Sequence, residues 1–313
     1  MGAAGSRSNG PTHSRVHVIM AAVRIGVSGW TYRHWRGGFY PAGLVQRREL
    51  EYASRQMNSV EINGTFYSLQ RPASFRKWYE ETPPGFEFAV KGGRFITHMK
   101  KLNEVEGPLA NFFASGVLRL AEKLGPVLWQ FPPNLAFDYD RVARFLDLLP
   151  ENTAEAAALA ARHDDRVAGQ SWTQAEHDGP IRHAFEVRHP SFFTAAFLGL
   201  LKDHGAALVF ADTAGTWPYA EDLTADFVYV RLHGAEQLYA SGYTDPQLDA
   251  WAQKVHGWHN GGEASGTVAE RQAAGHGLRD VYVYFDNDIH GHAPVDAIRL
   301  AGRLSPGAEP PRG

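Results

Sequence analysis

The 313-residue sequence has no cysteine, and that absence excludes disulfide scaffolds, zinc knuckles, iron–sulfur clusters and thiolate catalysis. Long apolar runs are missing too. The longest, such as Ala206 to Ala211, are strand-sized, far short of the ~20 residues a membrane helix needs. Neither charge dominates: 31 Lys and Arg stand against 34 Asp and Glu, a formal charge of −3. This near-balance argues against a chain devoted to coating nucleic acid, and makes nucleic acid a less favoured partner than a small ligand in a local basic pocket. The first 22 residues are rich in Gly, Ser, Arg and His and lack an apolar signal core, so a disordered tail and a cytoplasmic, membrane-free protein are expected.

What the sequence does have is alternation. β-branched and aromatic runs at Val23 to Trp30, Ser59 to Phe66, Glu87 to Gly92 and Gly125 to Pro132 predict four strands. A second four are predicted at His183 to His189, Ala206 to Asp212, Phe227 to Gly234 and Val281 to Asp288. Between them, helical spacing predicts helices at Arg47 to Met57, Leu109 to Leu124, after Asp138, from Ser191, from Asp245 and from Ala293. Eight strand–helix units whose strands are apolar on both faces predict one (β/α)8 TIM-type barrel over residues 23–304. Residues 151–180 interrupt the repeat as an insertion, 257–280 as a long connection, and 305–313 as a Pro/Gly tail. A doubly wound sheet is the weaker alternative, because no strand is followed by a glycine-rich dinucleotide fingerprint; no cofactor is predicted.

The chemistry lies in where the polar residues fall. In a closed parallel barrel the active site is built at the carboxyl ends of the strands. Strand by strand, those ends carry Ser28 and Trp30, Glu61 and Asn63, Lys91, Gln130, Glu186 and Arg188, Asp212, Arg231 and His233, then Asp286, Asn287 and Asp288. The pairs Glu61/Asn63, Glu186/Arg188 and Arg231/His233 are two apart, so each pair shares one face of its strand. Any one charge could be a structural ion pair, but so many at one end point to a pocket.

These motifs resemble the YecE-like family, known as domain of unknown function 72. The resemblance runs through Gly29-Trp30 with Tyr32 and Trp35, Glu61-Ile62-Asn63, Phe88-Ala89-Val90-Lys91 and Trp129-Gln130-Phe131-Pro132. It continues through Phe185-Glu186-Val187-Arg188-His189, Arg231-Leu232-His233-Gly234 and Tyr284-Phe285-Asp286-Asn287-Asp288, covering about Arg24 to Leu304. It implies a triosephosphate-isomerase-type barrel and leaves the reaction open. The family usually has Asn where this chain has Asp286.

Lys91, Arg188 and Arg231 converging with carboxylates predict a small anionic or phosphorylated ligand. Glu61, Glu186, Asp212 and His233 are the candidate acids and bases. Trp30, Tyr32, Asn63, Lys91, Gln130, Arg188, Arg231 and Asn287 are the candidate ligand contacts, with Tyr67, Trp129 and Tyr239 as further aromatic walls. A metal-dependent isomerase, or a phosphodiesterase like the abasic-site endonucleases, is the sharper alternative, drawing on His233, the carboxylates and the His290/His292 loop. Three cations in the same small space oppose it, and no metal ligands are assigned. A non-catalytic anion sensor is the third class; its sign is a pocket whose carboxylates are all tied to cations.

Overall fold

The computed structural model describes residues 21–266, 268 and 277–305, so most of the two expected tails lies outside the described residues. The strands are β1 (Val23–Ser28), β2 (Ser59–Ile62), β3 (Glu87–Lys91), β4 (Leu124–Gln130), β5 (His183–Glu186), β6 (Ala207–Asp212), β7 (Phe227–Leu232) and β8 (Asp280–Phe285). They close into a barrel in chain order, every neighbouring pair parallel. With helices between the strands this is the predicted (β/α)8 barrel.

The helices are α1 (Glu49–Gln56), α2 (Gly64–Tyr67), α3 (Pro72–Glu81), α4 (Glu106–Ala114), α5 (Tyr139–Asp147), α6 (Thr153–Ala160), α7 (Ala195–Asp203), α8 (Asp245–His259) and α9 (His292–Leu304). Asp138 caps α5 as expected, its side chain accepting from the Arg141 amide at 2.9 Å. The helix expected over Leu109 to Leu124 is two pieces, α4 and a 3-10 stretch, Val117–Lys123. Gly116 separates them at φ 116°, a left-handed conformation no other residue adopts cheaply. Thr194, not Ser191, caps α7. Between β2 and β3, α3 escapes the sequence reading because Phe75 is its one buried residue. Residues 151–180 contain α6, which packs on α4, followed by mostly irregular chain.

Two cores flank the strands. Outward-facing Val27, Val60, Ile62, Val90, Trp129, Phe185, Val230, Leu232 and Phe285 pack under the helices. Inside, Phe227, Tyr229, Tyr282 and Tyr284 fill the lower lumen with Ala89, Leu128, Ala184 and Ala207. Gly26 lets β1 and β2 close over this layer, since a Cβ there would sit 1.9 Å from the Ser59 carbonyl oxygen.

Candidate active site

One guanidinium organises the upper lumen. Arg231, on β7 and fully buried, donates from Nε and Nη2 to both carboxylate oxygens of Glu61 at 3.0 and 2.9 Å. Its Nη1 donates to Glu186 at 2.6 Å, and Nη2 also reaches Asp286 at 2.9 Å. The Glu61 carboxylate is completed by the Ser28 hydroxyl at 2.8 Å and the Tyr229 hydroxyl at 2.7 Å. Burial would lower the affinity of Arg231 for its proton, but Glu61, Glu186 and Asp286 together hold it well above the ordinary value.

A second tier surrounds Glu186. Its Oε1 accepts from Gln130 at 3.0 Å and from Arg188 Nε at 2.9 Å. Arg188 Cζ lies over the Trp217 ring, 3.7 Å from its centroid, and Nη2 donates to the Tyr239 hydroxyl at 3.0 Å. Burial opposes the ionised form of Glu186, yet Arg188 and Arg231 hold it well below the usual carboxylate range. His233 is wholly buried, with Nε2 3.3 Å from Arg231 Nη1. Arginine can only donate there, so Nε2 accepts and the ring proton sits on Nδ1. Nδ1 lies 3.1 Å from Asp286 Oδ2, but off the line of a good hydrogen bond and without another partner. Asp286, part-open at the mouth, is also opposed by burial, but Arg231 and His233 bring it down to about 2.

Lys91 stands apart. The Thr65 hydroxyl fixes its backbone by donating to its carbonyl at 2.6 Å, and the side chain is 7% exposed. Its Nζ lies 4.4 Å from the centroid of the Phe66 ring. Among the described residues it has no hydrogen bond and no carboxylate within ion-pair distance. Burial, then the charge of Arg231, lower it to about 8. His98 packs edge-on against the same Phe66 ring, at 5.0 Å between centroids, with Nδ1 2.9 Å from the Thr97 hydroxyl. Burial, then Lys91 and Arg188, bring it down to about 4, so it is neutral at pH 7.

The structure therefore brings Glu61, Lys91, Gln130, Glu186, Arg188, Arg231 and His233 together in the upper lumen. Three other candidates go elsewhere. Asp212 follows Leu208 and Phe210 on the outward parity of β6, and its Oδ2 accepts from the Tyr243 hydroxyl at 2.9 Å beside Trp251 and Lys254. Asn287, two residues past the end of β8, continues the outward parity of Val283 and Phe285; its amide donates to Asp296 on α9 at 2.9 Å and to the Ser241 carbonyl at 3.0 Å. Trp129 is fully buried between Phe112 and Phe145, its indole N–H donating to His183 at 3.1 Å, so it walls no pocket. In each case strand alternation sends the residue to the helix side of the barrel.

Trp30, Tyr32 and Asn63 line a neighbouring cleft of about 300 Å³ with Tyr67, Gln70 and Trp78. The chain turns helical at Asn63, φ −85° and ψ −23°, which takes its side chain off the lumen face; its Oδ1 is buried without a partner. The sequence places Ser28 and Asp286 at the strand ends without a role of their own, and its reading omits Tyr229. Tyr229 and Ser28 lie on the inward face with Arg231 and Glu61, and two places before Arg231 the same face carries Tyr229. Trp217 lies in the connection after β6 and His98 in a single π-helical turn, Phe95–Met99, after β3, where no periodicity marks them.

Among the described residues no group of three or more His, Asp and Glu is disposed to hold a metal ion. The carboxylates that do converge meet at the Arg231 guanidinium, and His290 is exposed. Residues 24–312 match the family described as protein of unknown function DUF72. The chain belongs to the DUF72 family. It is 30% identical over 300 residues to the UPF0759 protein YunF of Bacillus subtilis, covering 87% of this chain and 90% of that protein. It is 26% identical over 172 residues to the UPF0759 protein YecE of Escherichia coli, and that match spans 55% of this chain and only half the length of YecE. A DUF72 protein from Thermotoga maritima superposes with a TM-score of 0.68 at 24% identity, over 90% of this chain and 98% of the other. One from Enterococcus faecalis gives 0.65 at 16% identity, over 93% and 100%. These likenesses carry the fold; the family's activity is unassigned. No helix among the described residues is long and apolar enough to cross a membrane.

Proposed function

We propose that this DUF72 barrel is an enzyme that takes a small anionic or phosphorylated substrate at the C-terminal mouth and acts on it by proton transfer. One observation carries the reading: Lys91 is a buried cation without an anion among the described residues. A buried charge left unpaired is costly, and a ligand that brings the missing charge removes the cost. Arg188 supports the same role, since its Nη1 has no hydrogen bond among the described residues and its plane is held by Trp217 and Tyr239.

In this reading Asp286 and His233 move the proton. Asp286 Oδ1 is the one lumen carboxylate oxygen without a hydrogen bond among the described residues, and the side chain opens to the mouth. Glu61 has two donors on each oxygen and no exposure, which supports a positioning role for it, holding Arg231. Glu186 supports Arg188 and Arg231 in the same manner.

Thermal melting with inorganic phosphate, sulfate and acetate tests the anion site. The expected result is a phosphate-dependent rise, on the order of 2.7 kcal/mol at a hundredfold excess over Kd, that is lost in Lys91→Met and Arg188→Ala. An equal rise in both variants overturns the site. A second reading, anion sensing without turnover, is favoured by the three lumen carboxylates all bonding Arg231. Retained phosphate binding with no turnover of any phosphorylated or carboxylated compound screened would favour it.

A further inference from the structure

We propose that Lys91 is a nucleophile that condenses with an aldehyde or ketone, so that the substrate class of the mouth is an anionic carbonyl compound such as a 2-oxo acid. This rests on the anion-binding reading above and deepens it. Comparison with the other buried lysine is the starting point. Lys123 donates from Nζ to the Tyr79 carbonyl at 2.6 Å, the Thr82 carbonyl at 2.8 Å and the Thr82 hydroxyl at 3.1 Å, so its ammonium is fixed and its nitrogen lone pair is never free. Lys77, Lys100 and Lys254 each face a glutamate. Lys91 alone combines burial in the lumen with the lack of any acceptor among the described residues.

An amine attacks a carbonyl only in its neutral form, and two features favour that form here. The residue is only 7% exposed, and burial opposes the charged form even though the face of the Phe66 ring, 4.4 Å from Nζ, attracts it. The charge of Arg231 opposes a second cation in the lumen more than any one of Glu61, Asp286 or Glu186, each bonded to that guanidinium, favours it. The result is a group near 8, of which about one in ten is neutral at pH 7. A proton carrier is at hand as well: His98, neutral and on the same Phe66 ring, has Nε2 without a hydrogen bond among the described residues.

The step balances without a further reagent. The Nζ lone pair forms the C–N bond, and the carbonyl π electrons move to oxygen to give the carbinolamine. The nitrogen lone pair then expels that oxygen, which leaves as water with the two hydrogens the amine gives up. The substrate's carboxylate would lie against Arg188, leaving the adjacent carbonyl carbon for Lys91.

Incubation with pyruvate and sodium cyanoborohydride, followed by peptide mass mapping, tests this. The reductant converts the imine to a stable secondary amine, so the lysine concerned gains one carboxyethyl group. The expected result is labelling of Lys91 at least about tenfold faster than of exposed Lys202, since a neutral amine is the reacting form. Inorganic phosphate should suppress it. Lys91→Arg, which keeps the charge but not the amine, should retain the phosphate-dependent melting shift and lose the label. Labelling of Lys91 no faster than Lys202 overturns the imine. If the phosphate shift survives that result, the anion site stands without the imine; if the shift is absent too, both readings fall.

Discussion

Arg231 holds both carboxylate oxygens of Glu61 at 2.9 and 3.0 Å, and neither side chain has any exposure to solvent. Two more carboxylates share the same guanidinium. Removing it leaves three acids crowded together, two of them buried away from solvent. Arg231→Met should therefore destabilise the barrel by about 3–5 kcal/mol, read as a fall in the denaturant midpoint. Glu61→Gln should cost less, about 1–3 kcal/mol, because Arg231 keeps Glu186 and Asp286. A neutral Arg231→Met would show that the cluster contributes no net stability.

Lys91 gives the opposite sign. Its proton is held less tightly in the fold, about 8, than at the ordinary 10.5, so the unfolded chain binds more protons between those values. Stability should rise with pH over that window, and the cost of the buried charge should be fully present below it. Lys91→Met should be more stable than the parent at pH 7, by on the order of 3 kcal/mol, with the gap closing as pH rises toward 10.5. Urea titrations at pH 7, 9 and 10.5 measure the difference. A gap that does not change with pH contradicts the assignment.

Asp286 should govern part of the acid limb. Its folded value of about 2 lies below the ordinary 3.8, so its contribution is complete above about pH 4 and lost as pH falls toward 2. Asp286→Asn should lower stability at pH 7 by about 2 kcal/mol and flatten the loss between pH 4 and 2. The same variant should keep the phosphate-dependent melting shift while abolishing turnover if Asp286 carries the proton. Phosphate binding and stability curves on one preparation separate the two effects.

Gly26→Ala tests the register of the lumen. The new methyl would meet the Ser59 backbone oxygen, which cannot turn aside as a side chain would. Strand separation must increase, at a cost of about 3 kcal/mol or more, and the lumen tyrosines should change their near-ultraviolet circular dichroism. A near-neutral substitution would mean that β1 and β2 are further apart than described.

The barrel was legible because each β unit carries its own signal: an apolar run, then a polar group at its end. All eight strands lie where the runs are. The runs extend past the strands at their C-terminal ends: Trp30, His189 and Gly234 belong to the connections that leave the ladder, and Phe66 to α2. Parity decided the site. Glu61, Glu186 and Arg231 share the inner face and meet. Asp212 and Asn287 stand one residue off it, and a polar group at a strand end was given more weight than the Phe210 and Phe285 two places earlier, which already mark the outer face. The isolation of Lys91 was not legible at all. It depends on which of several carboxylates Arg231 occupies, a choice made in three dimensions among residues from four strands.

The tyrosine layer below Arg231 has a kinetic consequence. Tyr229 and Tyr284 are fully buried, and the Tyr284 hydroxyl is joined to Ser59 at 2.6 Å, so the barrel is a vessel with a floor. Whatever enters from the mouth must leave by the same door. Arrival and departure then share one passage, a spent molecule blocks the next one, and a competitor needs only to stand in the doorway to stop traffic in both directions.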